Sequence, residues 1–205
     1  VAAVGARQPP LQAVLHQPQL GITRYVAADA EVEKERFETA IATLQQSFDA
    51  YIKSSGLASN SEQMEIMETY LLFTHDRGWR NRIEEAIHSG LTAEAAVKRV
   101  EEELQAKMSQ LASPYIKERM SDLENLSNHL LQVLLGKQAA PKPDELPEAF
   151  ILVAHAIGPA ELLAYDQKKI KGLILEEGSA TSHTALIARS MDIPALAKVE
   201  RATAN

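Results

Sequence analysis

The sequence predicts a bundle of amphipathic helices followed by a small α/β unit. Three observations predict it. From Phe37 to Leu134, apolar residues recur at three- and four-residue steps, the period of a helix with one buried face. The stretch Ala139-Ala140-Pro141-Lys142-Pro143-Asp144 then breaks the pattern, as a linker does. Beyond it, short apolar runs alternate with short helical segments, an order that builds a parallel sheet with right-handed crossovers.

The elements follow in order. Val1 to Val26 is irregular, broken by Pro9-Pro10, Pro18 and Gly21, with short extended pieces such as Ala13-Val14-Leu15. Asp29 is a good N-cap, and Glu31 and Glu33 suit a first turn. Phe37, Ile41, Leu44, Phe48 and Ile52 then mark one face of a helix that Ser54-Ser55-Gly56 ends. Asn60 or Ser61 caps the next helix, which carries two stripes: Met64, Met67 and Leu71, and Ile66, Tyr70 and Phe73. Asp76-Arg77-Gly78 interrupts. A helix through Trp79, Ile83 and Ile87 stops at Gly90. Thr92 starts another, with Val97, Val100, Leu104, Met108 and Leu111 on one face. Ser113-Pro114 reads as N-cap and N1 of a last helix that buries Ile116, Met120, Leu123, Leu126, Leu130 and Leu134 and closes at Gly136. Short connections make this an antiparallel bundle. Phe150 to Ala154 and Gly172 to Leu175 read as buried strands, with a short helix through Leu162 and Leu163 between them. Thr184 to Met191 reads as helix, and Pro194 to Val199 as a third strand.

Composition excludes several function classes. The 205 residues carry a net charge of −7, which disfavours non-specific nucleic-acid binding. Cysteine is absent, which removes disulfides and thiolate metal sites. No apolar run is long enough to span a bilayer, and no signal peptide opens the chain, so a cytoplasmic protein is expected. Four of the six histidines, His16, His75, His88 and His129, are scattered without metal-ligand spacing, and no metal site is expected. His155 follows the first α/β strand and is expected to line the same sheet end as His183.

The run from Gly178 to Arg189, GSATSHTALIAR, carries the chemistry. It puts His183 on a small-residue turn where a strand ends and a helix begins, at the strand ends where open α/β sheets gather ligands. Free backbone N–H groups and a helix dipole there favour a phosphoryl group. A neutral imidazole can attack phosphorus and hold the group covalently. Gly178 permits the turn. Thr181, Ser182 and Thr184 offer hydroxyls for capping or for phosphate, and Arg189 offers a cation.

That run resembles the phosphohistidine signature of the phosphoenolpyruvate-utilising enzymes, and the whole chain resembles Enzyme I of the phosphotransferase system. The likeness extends over Glu68 to Trp79, Thr92-Ala93-Glu94-Ala95-Ala96, Tyr115-Ile116-Lys117-Glu118-Arg119 and Gly158-Pro159-Ala160-Glu161. Asp76-Arg77-Gly78-Trp79 and Leu175-Glu176-Glu177-Gly178-Ser179 look more like the nitrogen-related branch. The resemblance implies a phosphoenolpyruvate-protein phosphotransferase in which His183 takes a phosphoryl group from phosphoenolpyruvate and passes it to a histidine of a small carrier, HPr or NPr. It implies an α/β phosphohistidine (swivelling) domain, residues 1–26 plus 145–205, with the helical bundle of residues 29–136 inserted and 137–144 as linker. It also implies a fragment, truncated after the third strand. Phosphoenolpyruvate and Mg2+ would be bound by a barrel domain outside the sequence, so the fragment is not expected to use phosphoenolpyruvate alone. Gly158 stands where the sugar-transport branch has an orienting Thr, and Ala156 where an acidic residue is frequent. Ser179 and Ala180 replace a Gly and a basic residue.

A carrier needs a docking face of apolar anchors in a polar rim. Tyr70, Phe73, Arg77, Trp79 and Arg80 are of the right types, with Glu65, Glu68 and Glu84 to steer a basic partner. The competing assignment for the aromatics is the bundle core. Two other readings of the whole chain are the swivelling domain of a pyruvate phosphate dikinase-like enzyme, against which the long helical insertion argues, and a non-catalytic helical binding module.

Overall fold

The structure, a computed structural model, describes residues 11–17, 20–54, 62–108, 113–137, 140–179 and 182–204. Five helices lie between the first two strands: α1 (Ala30–Ser54), α2 (Glu62–Thr74), α3 (Arg77–His88), α4 (Ala93–Met108) and α5 (Pro114–Leu134). Local chemistry sets several of their ends. The Asp29 carboxylate accepts from the N–H of Glu31 at 2.8 Å, and Asp76 accepts from the N–H of Trp79 at 2.7 Å. The Thr92 hydroxyl accepts from the N–H of Ala95 and donates to the Arg24 carbonyl. Gly90 and Gly136 stop α3 and α5 at φ +103° and +65°, where a side chain would be strained. The expected caps Asn60 and Ser61, and Leu111, fall outside the described residues.

The sheet has four parallel strands in chain order: β1 (Gln12–His16), β2 (Phe150–Ala154), β3 (Ile170–Leu175) and β4 (Ala195–Leu196). Strand β1 precedes all the helices of the bundle yet pairs with β2, Gln12 opposite Phe150 and His16 opposite Ala154. Helix α6 (Pro159–Leu163) joins β2 to β3, and α7 (His183–Ser190) joins β3 to β4. Buried side chains of helices and sheet form one continuous core, from Phe37, Leu44 and Phe48 through Leu126 and Leu130 to Phe150, Leu173 and Ile187.

Two expectations are corrected. The strand from Pro194 to Val199 shrinks to Ala195–Leu196, because Lys198 takes φ +63° and leaves the extended region. The buried stripe of α5 is rotated. Leu126, Leu130 and Leu131 are buried with Asp122 and Ser127, while Met120, Leu123 and Leu134 are half-buried. The cause is packing on several sides, since α5 touches α1, α2, α4 and α6.

Candidate active site

The turn after β3 delivers His183 to the head of α7. Gly178 takes φ +120°, a conformation that suits glycine. Ser182 is the N-cap. Its hydroxyl donates to the Ser179 carbonyl at 2.9 Å and accepts from the N–H of Ala185 at 3.3 Å. His183 is therefore the first helical residue, beside the leading N–H groups and the positive dipole end.

The ring does not stand alone. His183 Nδ1 lies 2.8 Å from Asp122 Oδ1, with the side chains 24% and 6% exposed. Asp122 belongs to α5, so the contact crosses from the helical bundle to the sheet unit. The same Oδ1 accepts from the Tyr70 hydroxyl of α2 at 3.1 Å. Burial, then the Asp122 charge, pushes the Tyr70 phenol well above its ordinary value, so it remains a donor. Asp122 escaped the sequence reading, although a signal exists. It lies four residues before Leu126 and eight before Leu130, an acid on the buried stripe.

The other expected phosphate-supporting residues divide. Gly178 and Ser182 shape the turn and the cap. Thr181 lies outside the described residues. Thr184 is buried, and its hydroxyl donates to the Ile157 carbonyl at 2.7 Å, tying α7 to the loop after β2. That contact corrects the expectation that its hydroxyl faces a phosphate. Arg189 is exposed in the last turn of α7, roughly 9 Å of helical rise from His183. A cation there complements the carbonyl end of the helix. His155 is exposed at the end of β2, with Nδ1 2.6 Å from Glu176 Oε2 and Nε2 3.3 Å from Glu177 Oε1. The Glu176 hydrogen bond pulls its pKa up, which favours the cation over the neutral ring that attacks phosphorus.

The expected docking residues also divide. Tyr70 and Trp79 are 1% and 6% exposed, so the expectation of aromatic surface anchors is corrected for both: they fill the bundle core. Phe73 is half-buried beneath the Arg119 guanidinium, 5.0 Å from its ring centroid. Arg80 pairs with Glu38, and Glu84 with Lys34 at 3.2 Å. Glu65, Glu68 and Arg77 are exposed. The apolar anchor the sequence reading missed is Leu72, 71% exposed and on the same face of α2 as Glu65 and Glu68.

Comparison with known families matches residues 3–119 to the family described as PEP-utilising enzyme, N-terminal. The chain belongs to the PEP-utilising enzymes. A second match, to the family's mobile domain, covers residues 146–205 and includes His183. Among curated relatives, the phosphoenolpyruvate-protein phosphotransferase of Listeria innocua is 27% identical over 193 residues, 94% of this chain and 34% of that one. A protein of Escherichia coli K12 described as phosphoenolpyruvate-dependent phosphotransferase system is 31% identical over 166 residues, 81% of this chain and 22% of its own length. The chain thus spans about a third of its curated relatives, or less. A solution structure of Enzyme I superposes with TM-score 0.70 at 26% identity, covering 94% of this chain and 79% of that one. The solved N-terminal domain of Enzyme 1 - Nitrogen gives 0.66 at 26% identity, covering 92% and 78%. These likenesses bear out the resemblance to Enzyme I read from the motif.

Proposed function

We propose that this PEP-utilising enzyme chain is the phosphohistidine and carrier-binding portion of an Enzyme I-like phosphoenolpyruvate-protein phosphotransferase. One observation carries the reading: an imidazole at the head of α7, beside the strand ends of a parallel sheet, with a buried carboxylate on its Nδ1. In the step proposed, an imidazole nitrogen of His183 donates its lone pair to phosphorus and forms a P–N bond. The bond from phosphorus to the donor breaks. Its electron pair leaves on the imidazole of a phosphorylated carrier or on the enolate oxygen of phosphoenolpyruvate. Exchange with a carrier joins two phosphohistidines and needs no metal in the chain. The family implies Mg2+ with phosphoenolpyruvate. Among the described residues no group of three or more histidines and carboxylates is placed to hold a metal ion. Both are assigned to a barrel domain outside these residues.

The partner proposed is a small HPr- or NPr-like carrier, docking on the α2 face of Glu65, Glu68 and Leu72 with Arg77 nearby in sequence. Asp76-Arg77-Gly78-Trp79 and the neighbour described as nitrogen Enzyme 1 support the nitrogen branch. The domain division proposed remains residues 1–26 with 145–205, the bundle 29–136 inserted, and 137–144 between; the pairing of β1 with β2 supports it. No helix among the described residues is long and apolar enough to cross a membrane, and the reading puts the protein in the cytoplasm.

The test is incubation with 32P-labelled phospho-HPr and phospho-NPr. Acid-labile label is expected on the wild type and none on His183→Ala, with faster labelling from NPr if the branch is right. Carrier binding without label on the wild type would overturn the reading in favour of a non-catalytic module. Indifference to both carriers, with labelling only by a dikinase partner domain, would favour the swivelling-domain alternative.

A further inference from the structure

We propose that Asp122 is a positioning residue for His183, so that part of the phosphoryl-transfer site is supplied by the helical bundle. The inference rests on the reading of His183 as the phosphoryl acceptor and deepens it.

The hydrogen-bond inventory argues it. An ionised carboxylate only accepts, and Tyr70, whose phenol is held protonated, donates to the same oxygen that faces His183. The imidazole must therefore be the donor in its contact, with the proton on Nδ1. In a neutral ring that leaves the lone pair on Nε2. Free imidazole of histidine has no such partner to fix its tautomer, so the carboxylate sets which nitrogen attacks. It also steadies the ring as charge builds. When Nε2 forms its bond to phosphorus the ring becomes more positive, and the Nδ1 proton stays between Nδ1 and the Asp122 carboxylate. The electron count is unchanged: one lone pair becomes the P–N bond, and the donor leaves with the pair from the bond it loses.

The backbone is cut to admit this helix. A Cβ added to Gly158, the N-cap of α6, would stand 3.1 Å from Asn125 Cβ and 3.3 Å from its Cγ. Asn125 is one turn beyond Asp122 on α5. The glycine lets α5 approach the loop after β2, and that approach brings Asp122 within reach of His183. The chain thus omits a side chain at residue 158 and draws its orienting oxygen from across the boundary between bundle and sheet unit.

Histidine-selective 15N spectra of the full chain, with His183 assigned from His183→Ala, read the tautomer directly. The wild type is expected to show the proton on Nδ1. In Asp122→Ala it is expected to move toward Nε2, and transfer from phospho-carrier to slow by on the order of 100-fold, the cost of misplacing a reacting group. Asp122→Asn keeps an accepting oxygen and serves if the alanine variant fails to fold. It is expected to keep more of the Nδ1 tautomer and to recover part of the rate. A folded Asp122→Ala, or Asp122→Asn if only that variant folds, with the wild-type tautomer and rate would overturn the proposal. A wild type that takes no label from either carrier would sink the phosphoryl reading instead, and the tautomer would still decide for or against Asp122.

Discussion

At the scale of single residues, the economy of the site lies in one oxygen. Asp122 Oδ1 takes the Tyr70 hydroxyl and faces the His183 ring, so a residue far from the signature motif sits against its histidine. Nothing in a phosphohistidine motif encodes that contact, because the carboxylate lies 61 residues earlier in the chain. Its only trace is an acid on an apolar stripe, and the sequence places that stripe through Met120 and Leu123, two positions before it and one after. The same difficulty misplaced Tyr70 and Trp79. Amphipathic types at helical spacing fit a surface anchor and a core filler equally, and only packing against neighbouring helices separates the two. Tyr70→Phe tests the residue scale. It keeps the ring that packs against Phe48, 6.3 Å between centroids, and removes the buried hydroxyl that donates to Asp122. It is expected to lower unfolding stability by about 1 to 2 kcal/mol, measured by urea titration, while His183 remains phosphorylatable.

At the scale of elements, sequence punctuation was the legible part. Asp29, Asp76, Thr92, Gly90 and Gly136 each act where local chemistry says they should, because a cap or a left-handed stop involves only a few neighbouring residues. Ser113 is a milder case, since Pro114 opens α5 with no side-chain cap from the serine. Strand β4 was overread because apolar residues continue past the residue whose φ ends it. Helix α3 depends on its cap more than the longer helices do, being 12 residues with Asp76 holding its first turn. Asp76→Ala is expected to cost about 1 kcal/mol, seen as a lower melting temperature by circular dichroism. Asp76→Asn is expected to keep most of it.

At the scale of the whole molecule, bundle and sheet unit meet through polar contacts as well as through the shared core. The Gln63 amide of α2 donates to the Ser190 hydroxyl of α7. The Gln132 amide of α5 donates to Glu161 of α6, whose other oxygen accepts the N–H of Gly158 at 2.9 Å. His16 Nε2 lies 3.7 Å from that second oxygen, and His16 Nδ1 meets the Tyr165 hydroxyl at 2.9 Å. Burial pushes the Glu161 pKa up, but His16, the Gly158 N–H and His129 outweigh it, and the net shift is downward from 4.5. A carboxyl whose folded pKa is depressed stabilises the fold above its unfolded value and loses that contribution as pH falls through the folded one. At pH 7 the wild type is therefore expected to be more stable than Glu161→Gln. The difference should begin to shrink as pH drops below about 4.5 and vanish below the depressed folded value, where protonation makes the two alike. Denaturant titrations of both proteins across pH 3 to 7, roughly the span over which such a group changes state, check it. His129 adds sensitivity from higher up. Burial lowers its pKa from 6.5, so the folded chain resists a proton that the unfolded chain accepts.

The bare Cα of Gly158 against Asn125 has a consequence for recombination between relatives. A bundle and a sheet unit that meet at such close range are not freely interchangeable parts. Grafting a sheet unit that bears threonine at this site would set its Cβ 3.1 Å from Asn125 Cβ, so that α5 must yield by a few tenths of an ångström one turn from Asp122.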